Sequence, residues 1–180
     1  MIYFYLLNYS KLNDSKIEKF IISFLKYLYN QGIKSNIKIE HCEDNIKDKF
    51  IKYIYNKNVP LIDNDEFLLE VNSYLKTISK HLNTQNYKFI FFGENLKITN
   101  KWGEANDWIA VIIKLEEKVI WHEIAHLLGA KDHYETETFT ATNICADPSN
   151  CVMTYGNTNG EICSESIREI KMYITELAKY

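Results

Sequence analysis

Glycine, proline and long apolar runs are all scarce in this 180-residue sequence. With six Gly, two Pro and no internal repeat, there is no low-complexity linker to separate domains. The chain therefore reads as one domain, or as two closely packed subdomains. No stretch reaches the roughly 18 to 20 continuous apolar residues that a membrane-spanning helix needs, so no membrane partner is expected. The apolar start, Met1 to Leu7, lacks a cationic leader and a small-residue cleavage site. It reads as a first strand, and a cytoplasmic location is the expectation. A net charge of -3 leaves no broad basic footprint, which excludes nucleic acid as a partner. Arginine occurs once against twenty lysines, a bias that follows coding composition and carries no chemistry. What remains is ordinary globular usage, 46% hydrophobic and 25% charged, enough to bury a core.

The apolar pattern orders the elements. Residues 2–7 are expected as a buried strand. A helix follows, opened by a capping box of Ser15 and Glu18, striped by Ile17, Phe20, Ile21, Phe24, Leu25 and Leu28, and stopped at Gly32. Ile37 and Ile39 alternate with polar residues as a second strand. A short helix is expected over 44–56 and another from Asp63, with Phe67, Val71, Tyr74, Leu75, Ile78 and Leu82 as its stripe. Tyr87–Phe92 and Trp108–Leu115 read as strands, 117–128 as a helix, and Ile167, Ile170, Ile174 and Leu177 as a closing amphipathic helix. This order argues for an α+β fold, a mixed sheet with helices packed on it. Residues 130–163 form a long loop region, and a loop of that length inside a compact domain is usually functional or stapled.

The chemistry lies in the run His122-Glu123-Ile124-Ala125-His126-Leu127-Leu128-Gly129-Ala130-Lys131-Asp132-His133. Residues four apart share a helix face, so His122 and His126 can converge on one zinc ion. Glu123 sits one step round, placed to take a proton from metal-bound water. The flanks are nearly all apolar, so the helix is expected to be buried, and buried His and Glu need partners. Gly129 ends the helix and turns the chain back. Two candidates for a third ligand follow at once, Asp132 and His133.

This run resembles the metzincin clan of zinc peptidases, whose signature is HExxHxxGxx followed by a third ligand, usually His and sometimes Asp. The resemblance puts that ligand at Asp132. The stretch Gly129 to Tyr134 is similar to the snapalysin family, in which the third ligand is Asp. His133, one residue late, is the alternative third ligand. Cys151-Val152-Met153-Thr154-Tyr155-Gly156 resembles the Met-containing turn of the clan. That likeness implies Met153 as an apolar floor under the histidines, and Tyr155 as a catalytic phenol near the zinc. The implied fold is metzincin-like. Residues 1–129 would hold a mixed twisted sheet, a backing helix and the active-site helix. Residues 130–180 would be an irregular C-terminal subdomain with the Met-turn and a final helix. Residues around Trp102 to Ala105 would supply the edge strand that pairs with substrate.

Of the four cysteines, Cys145, Cys151 and Cys163 fall within nineteen residues, while Cys42 reads as a buried structural residue. The three partly resemble the archaemetzincins, which hold a structural zinc on a Cys-x-Met segment and a late CxxC. Here Ser166 stands where the last Cys would be, and no Cys directly follows His133. The fourth thiolate of a second zinc site is missing, so a loop disulfide with one free thiol is the simpler expectation. The resulting expectation is a zinc-dependent endopeptidase with one catalytic zinc on His122, His126 and Asp132, and a peptide or protein substrate. The rivals are an inactive zinc-stabilised binding or regulatory protein, with both Asp132 and His133 on the metal, and a zinc hydrolase of a non-peptide amide.

Overall fold

Strand β1 (Ile2–Asn8) is the strand on which the sheet is assembled. Its alternating residues Ile2, Phe4 and Leu6 are buried, while on the other face Tyr3 stacks on Tyr87, with ring centroids 5.0 Å apart, and Tyr5 on Phe89, at 5.7 Å. β1 pairs in parallel with β2 (Ile37–His41) on one side and β3 (Tyr87–Phe92) on the other. The edge beyond β3 is built by a short strand β4 (Gly103–Ala105) and by β5 (Ile109–Ile112). β5 lies parallel to β3, and β4 lies antiparallel to β5, giving the order β2-β1-β3-β5-β4. β3 and β5 are apolar and buried along nearly their whole length, as expected of parallel strands covered on both faces. The computed structural model describes residues 1–42, 48–49, 73, 86–93, 102–105, 108–134, 144–154 and 160–179. Of the helices expected over 44–56 and from Asp63, only residues 48–49 and 73 are described, and these are helical; the rest lies outside the described residues.

Helix α1 (Asp14–Asn30) buries Ile17, Ile21, Phe24 and Leu28, one stripe at helical spacing. Its start corrects the expected Ser15–Glu18 capping box. Asn13 is the N-cap, its side chain accepting the Lys16 N–H at 2.9 Å. The Asn carbonyl reaches the third helical N–H from the preceding turn, and Glu18 instead meets His41 at 2.5 Å. Gly32 follows the helix at φ +82°.

Helix α2 (Glu117–Leu127) and helix α3 (Ser164–Leu177) lie further along the chain. Ile120, Ile124 and Leu127 of α2 join the α1 stripe and the sheet in one core. Trp121 locks α2 to α1. Its indole N–H lies 3.2 Å from Ser23 Oγ and 3.3 Å from the Phe20 carbonyl, and its ring packs on Phe24 and Tyr27. Tyr27 in turn donates to the Ile162 carbonyl at 2.8 Å, tying α1 to the C-terminal segment. The architecture is thus a mixed α+β fold, as the apolar pattern implied. No helix among the described residues is long and apolar enough to cross a membrane.

Candidate functional site

α2 ends beside the sheet edge, and the way it ends builds the first half of the site. Gly129 adopts φ +87°. Its N–H bonds to the His126 carbonyl at 2.9 Å, and the Ala130 N–H reaches back to Ala125 at 3.0 Å, a Schellman closure. A Cβ on Gly129 would lie 2.8 Å from Tyr173 Cβ, so both backbone sign and space require glycine here. The turn aims the Ala130 carbonyl at His126, whose Nδ1 donates to it at 2.8 Å. His122 Nδ1 donates likewise to the Val152 carbonyl at 2.8 Å. With both Nδ1 atoms committed as donors, each ring presents Nε2 as a lone pair.

Those two Nε2 atoms face one another at 3.0 Å. Asp132 Oδ1 stands 3.4 Å from the first and 3.3 Å from the second, buried and with no hydrogen-bond partner among the described residues. Two lone pairs and a carboxylate oxygen at such range repel unless a cation lies between them. Ligands of a tetrahedral zinc with bonds of 2.0–2.1 Å stand about 3.3 Å apart. The residues therefore fit a divalent metal. Together they form a group of three metal-type donors whose ligand atoms all lie within 4.8 Å.

Glu123 is buried beside this group, with Oε2 unpartnered among the described residues. It lies against β4: a Cβ on Gly103 would come within 2.7 Å of Glu123 Oε1. The glycine of the edge strand thus makes room for the carboxylate.

The electrostatics follow from crowding. Burial raises the Glu123 carboxyl, and the two nearby imidazoles only partly offset it. Burial would also raise Asp132, but His122 and His126 beside it hold it well below the usual carboxylate range. Burial works against a charged His122, yet the Asp132 and Glu123 carboxylates beside it push it up to about 9. In the metal-free protein a proton thus takes the position that suits a cation.

His133 does not join this group. Its ring turns the other way, into a second cluster with Cys145, Cys151 and Cys163, again with ligand atoms all within 4.8 Å. His133 Nδ1 lies 3.4 Å from Cys163 Sγ and 3.7 Å from Cys151 Sγ. A tetrahedral zinc would set N and S about 3.6 Å apart, from its usual bond lengths. Its Nε2 meets the hydroxyl of Ser166 at 3.3 Å, and Ser166 is fully buried. The ring is thereby oriented with Nδ1 toward the sulfurs. Burial lowers the His133 pKa, favouring the neutral ring that a ligand must be. Burial, with the neighbouring Cys163 thiol adding to it, pushes Cys151 up to about 12. The four residues could hold a metal ion.

Several expectations change. None of the four cysteines is in a disulfide, so the expected loop disulfide is not formed. The missing fourth donor of the cysteine group is His133, an imidazole where a thiolate was sought. Asp132 and His133, the two candidates for the third ligand, fall in different donor groups. Met153 is fully buried in the core, and its carbonyl accepts the His133 N–H at 3.0 Å. Tyr155 lies outside the described residues. Trp102 to Ala105 contains β4, the last strand of the sheet among the described residues. Gly103, Ser166 and the Val152 carbonyl carry no signal in the sequence, because each acts through a contact with a residue distant along the chain. The Cys3His set was findable: His133 lies beside three clustered cysteines, and Cys3His is a common structural zinc set. No protein-family model matches this chain, and no curated protein matches it either.

Proposed function

We propose that the chain is a zinc-dependent endopeptidase with its active site at His122, Glu123, His126 and Asp132. The observation that carries this reading is the convergence of three metal-type donors with a buried carboxylate, Glu123, at their side, whose Oε2 has no hydrogen-bond partner among the described residues. Zinc on those three donors would polarise a scissile carbonyl and acidify a water at the remaining fourth position. Glu123 is the base. It takes the water's proton and returns it to the leaving amine, so that water adds across the C–N bond. Burial supports that role by raising its affinity for the proton it must carry. The Val152 and Ala130 carbonyls behind the histidines orient their rings. An extended peptide is the favoured substrate because β4 is an edge strand and Gly103 on it touches Glu123. A peptide added to that edge would pass the base. The Cys3His cluster, more buried than the first group, has the donor set of a closed structural zinc site.

The test is zinc analysis together with turnover of a broad peptide library. Glu123→Gln should keep its zinc and lose activity by about 10²- to 10⁴-fold, the range of a general base. Undiminished turnover would sink the mechanism.

A further inference from the structure

The two clusters are joined through neighbouring residues. One peptide bond links Asp132, in the first group, to His133, in the second. Another links Cys151, whose Sγ belongs to the second group, to Val152, whose carbonyl holds the His122 ring. The His133 N–H donates to the Met153 carbonyl at 3.0 Å, closing the two segments on each other. The second segment is clamped in turn: Val152 N–H bonds to Glu161, and Glu161 N–H to Asn150, both at 2.8 Å.

α3 grips the first segment from outside. Ser166 meets His133, Glu169 accepts the Lys131 N–H at 3.0 Å, and Tyr173 packs against Gly129. These three lie at i, i+3 and i+7, one helix face. Lys131 to His133 belongs to no helix or strand. Asp132 is therefore held by what its neighbours bind rather than by a backbone ladder.

We propose that a soft divalent cation such as zinc, bound by His133, Cys145, Cys151 and Cys163, assembles the His122–His126–Asp132 centre, so that the cysteine centre fills first and its occupancy strengthens binding at the other. The proposal rests on the reading of the first group as a metal site. Three sulfurs and one imidazole select zinc-like ions over magnesium or calcium. Binding there pins His133 and Cys151, and each pins its neighbour, Asp132 on one segment and the Val152 carbonyl on the other. Ser166 is a positioning residue, acting through the His133 ring.

The experiment is a cobalt(II) titration of the full chain, stripped of metal under reducing conditions. Thiolate-to-cobalt charge-transfer absorption reports the cysteine centre alone, and total bound cobalt reports both. The expected result is two equivalents, with the thiolate absorption complete after the first. Filling of the other centre first, or binding at one centre only, overturns the proposal.

Cys145→Ser then tests the coupling, since Cys145 neighbours no residue of the first group. It should lose the thiolate absorption and weaken cobalt binding at the first centre by about tenfold or more, a typical coupling factor. Wild-type affinity at the first centre in that variant refutes the coupling. Should it fail to fold, Ser166→Ala decides: both centres should weaken, and Ser166→Thr, which keeps the hydroxyl, should restore them. Weakening confined to the cysteine centre refutes the proposal. These readouts count metal and not turnover. A chain that loads in this order but cleaves no peptide refutes the peptidase reading and leaves the coupling standing.

Discussion

The two donor groups differ in the ways that separate an accessible centre from a closed one. His122, His126 and Asp132 remain partly exposed, with side chains 17%, 15% and 29% accessible. Of the other group, His133, Cys145 and Cys151 are buried and only Cys163 is partly exposed. The first takes two donors from a single helix and one from just past its end. The second draws all four from segments spread over 133–163. A reacting centre needs access and a base, and Glu123 stands beside the first group. A structural centre needs four protein donors and no access, and the second has them.

The contrast breaks most sharply if Asp132 and His133 are removed one at a time. Asp132→Ala should abolish turnover and metal at the first centre, with the thiolate absorption of the cobalt form intact and the melting temperature nearly unchanged. His133→Ala should strike the cysteine centre and lower the melting temperature strongly, because the energy of binding a structural metal is folding energy. Identical effects of the two substitutions, read by cobalt spectra and thermal unfolding, would erase the distinction.

Gly103→Ala tests Glu123 apart from the three metal-type donors. The new methyl must displace the Glu123 carboxylate, and misplacing a reacting group by an ångström costs up to about 10²-fold. The expected outcome is a fall in kcat of that order with zinc content unchanged.

Gly129→Ala strains the turn between the two groups. A left-handed backbone for a non-glycine residue costs about 1–3 kcal/mol, and the contact with Tyr173 adds to it. Denaturant unfolding should show the loss, with metal affinity falling at the first centre.

Acidity acts on the first centre alone. In the metal-free protein His122 holds its proton up to about 9, and a metal must displace it. Apparent affinity at the first centre should therefore rise with pH by up to about tenfold per unit and level off above pH 9. Through the same proton, His122 stabilises the metal-free fold fully below its ordinary pKa of 6.5, an effect lost as pH rises toward 9. Isothermal titration at several pH values measures the first effect, and a slope of zero below pH 9 would contradict it.

Much of this was legible in the sequence because it is local. An apolar run marked β1, alternation marked β2, and helical spacing marked α1 and α3, since burial of one face imposes the period of the element that carries it. The pair His122 and His126 follows from 3.6 residues per turn, and Gly129 from the left-handed turn that ends the helix. The cap of α1 was misread because Asn13 and Ser15 are both competent caps, and the path of the incoming chain selects between them.

What tertiary structure alone decided is the division of labour between Asp132 and His133. Adjacent side chains of a non-helical segment point apart, so the sequence offered both and could not orient either. Ser166, Glu169 and Tyr173 on α3, with the bonds from His133 to Met153 and from His122 to Val152, set that orientation. Those contacts span from about 20 to more than 40 residues of chain, and no local propensity encodes them. They exist only once the core has brought α3 and the cysteine segments against the end of α2.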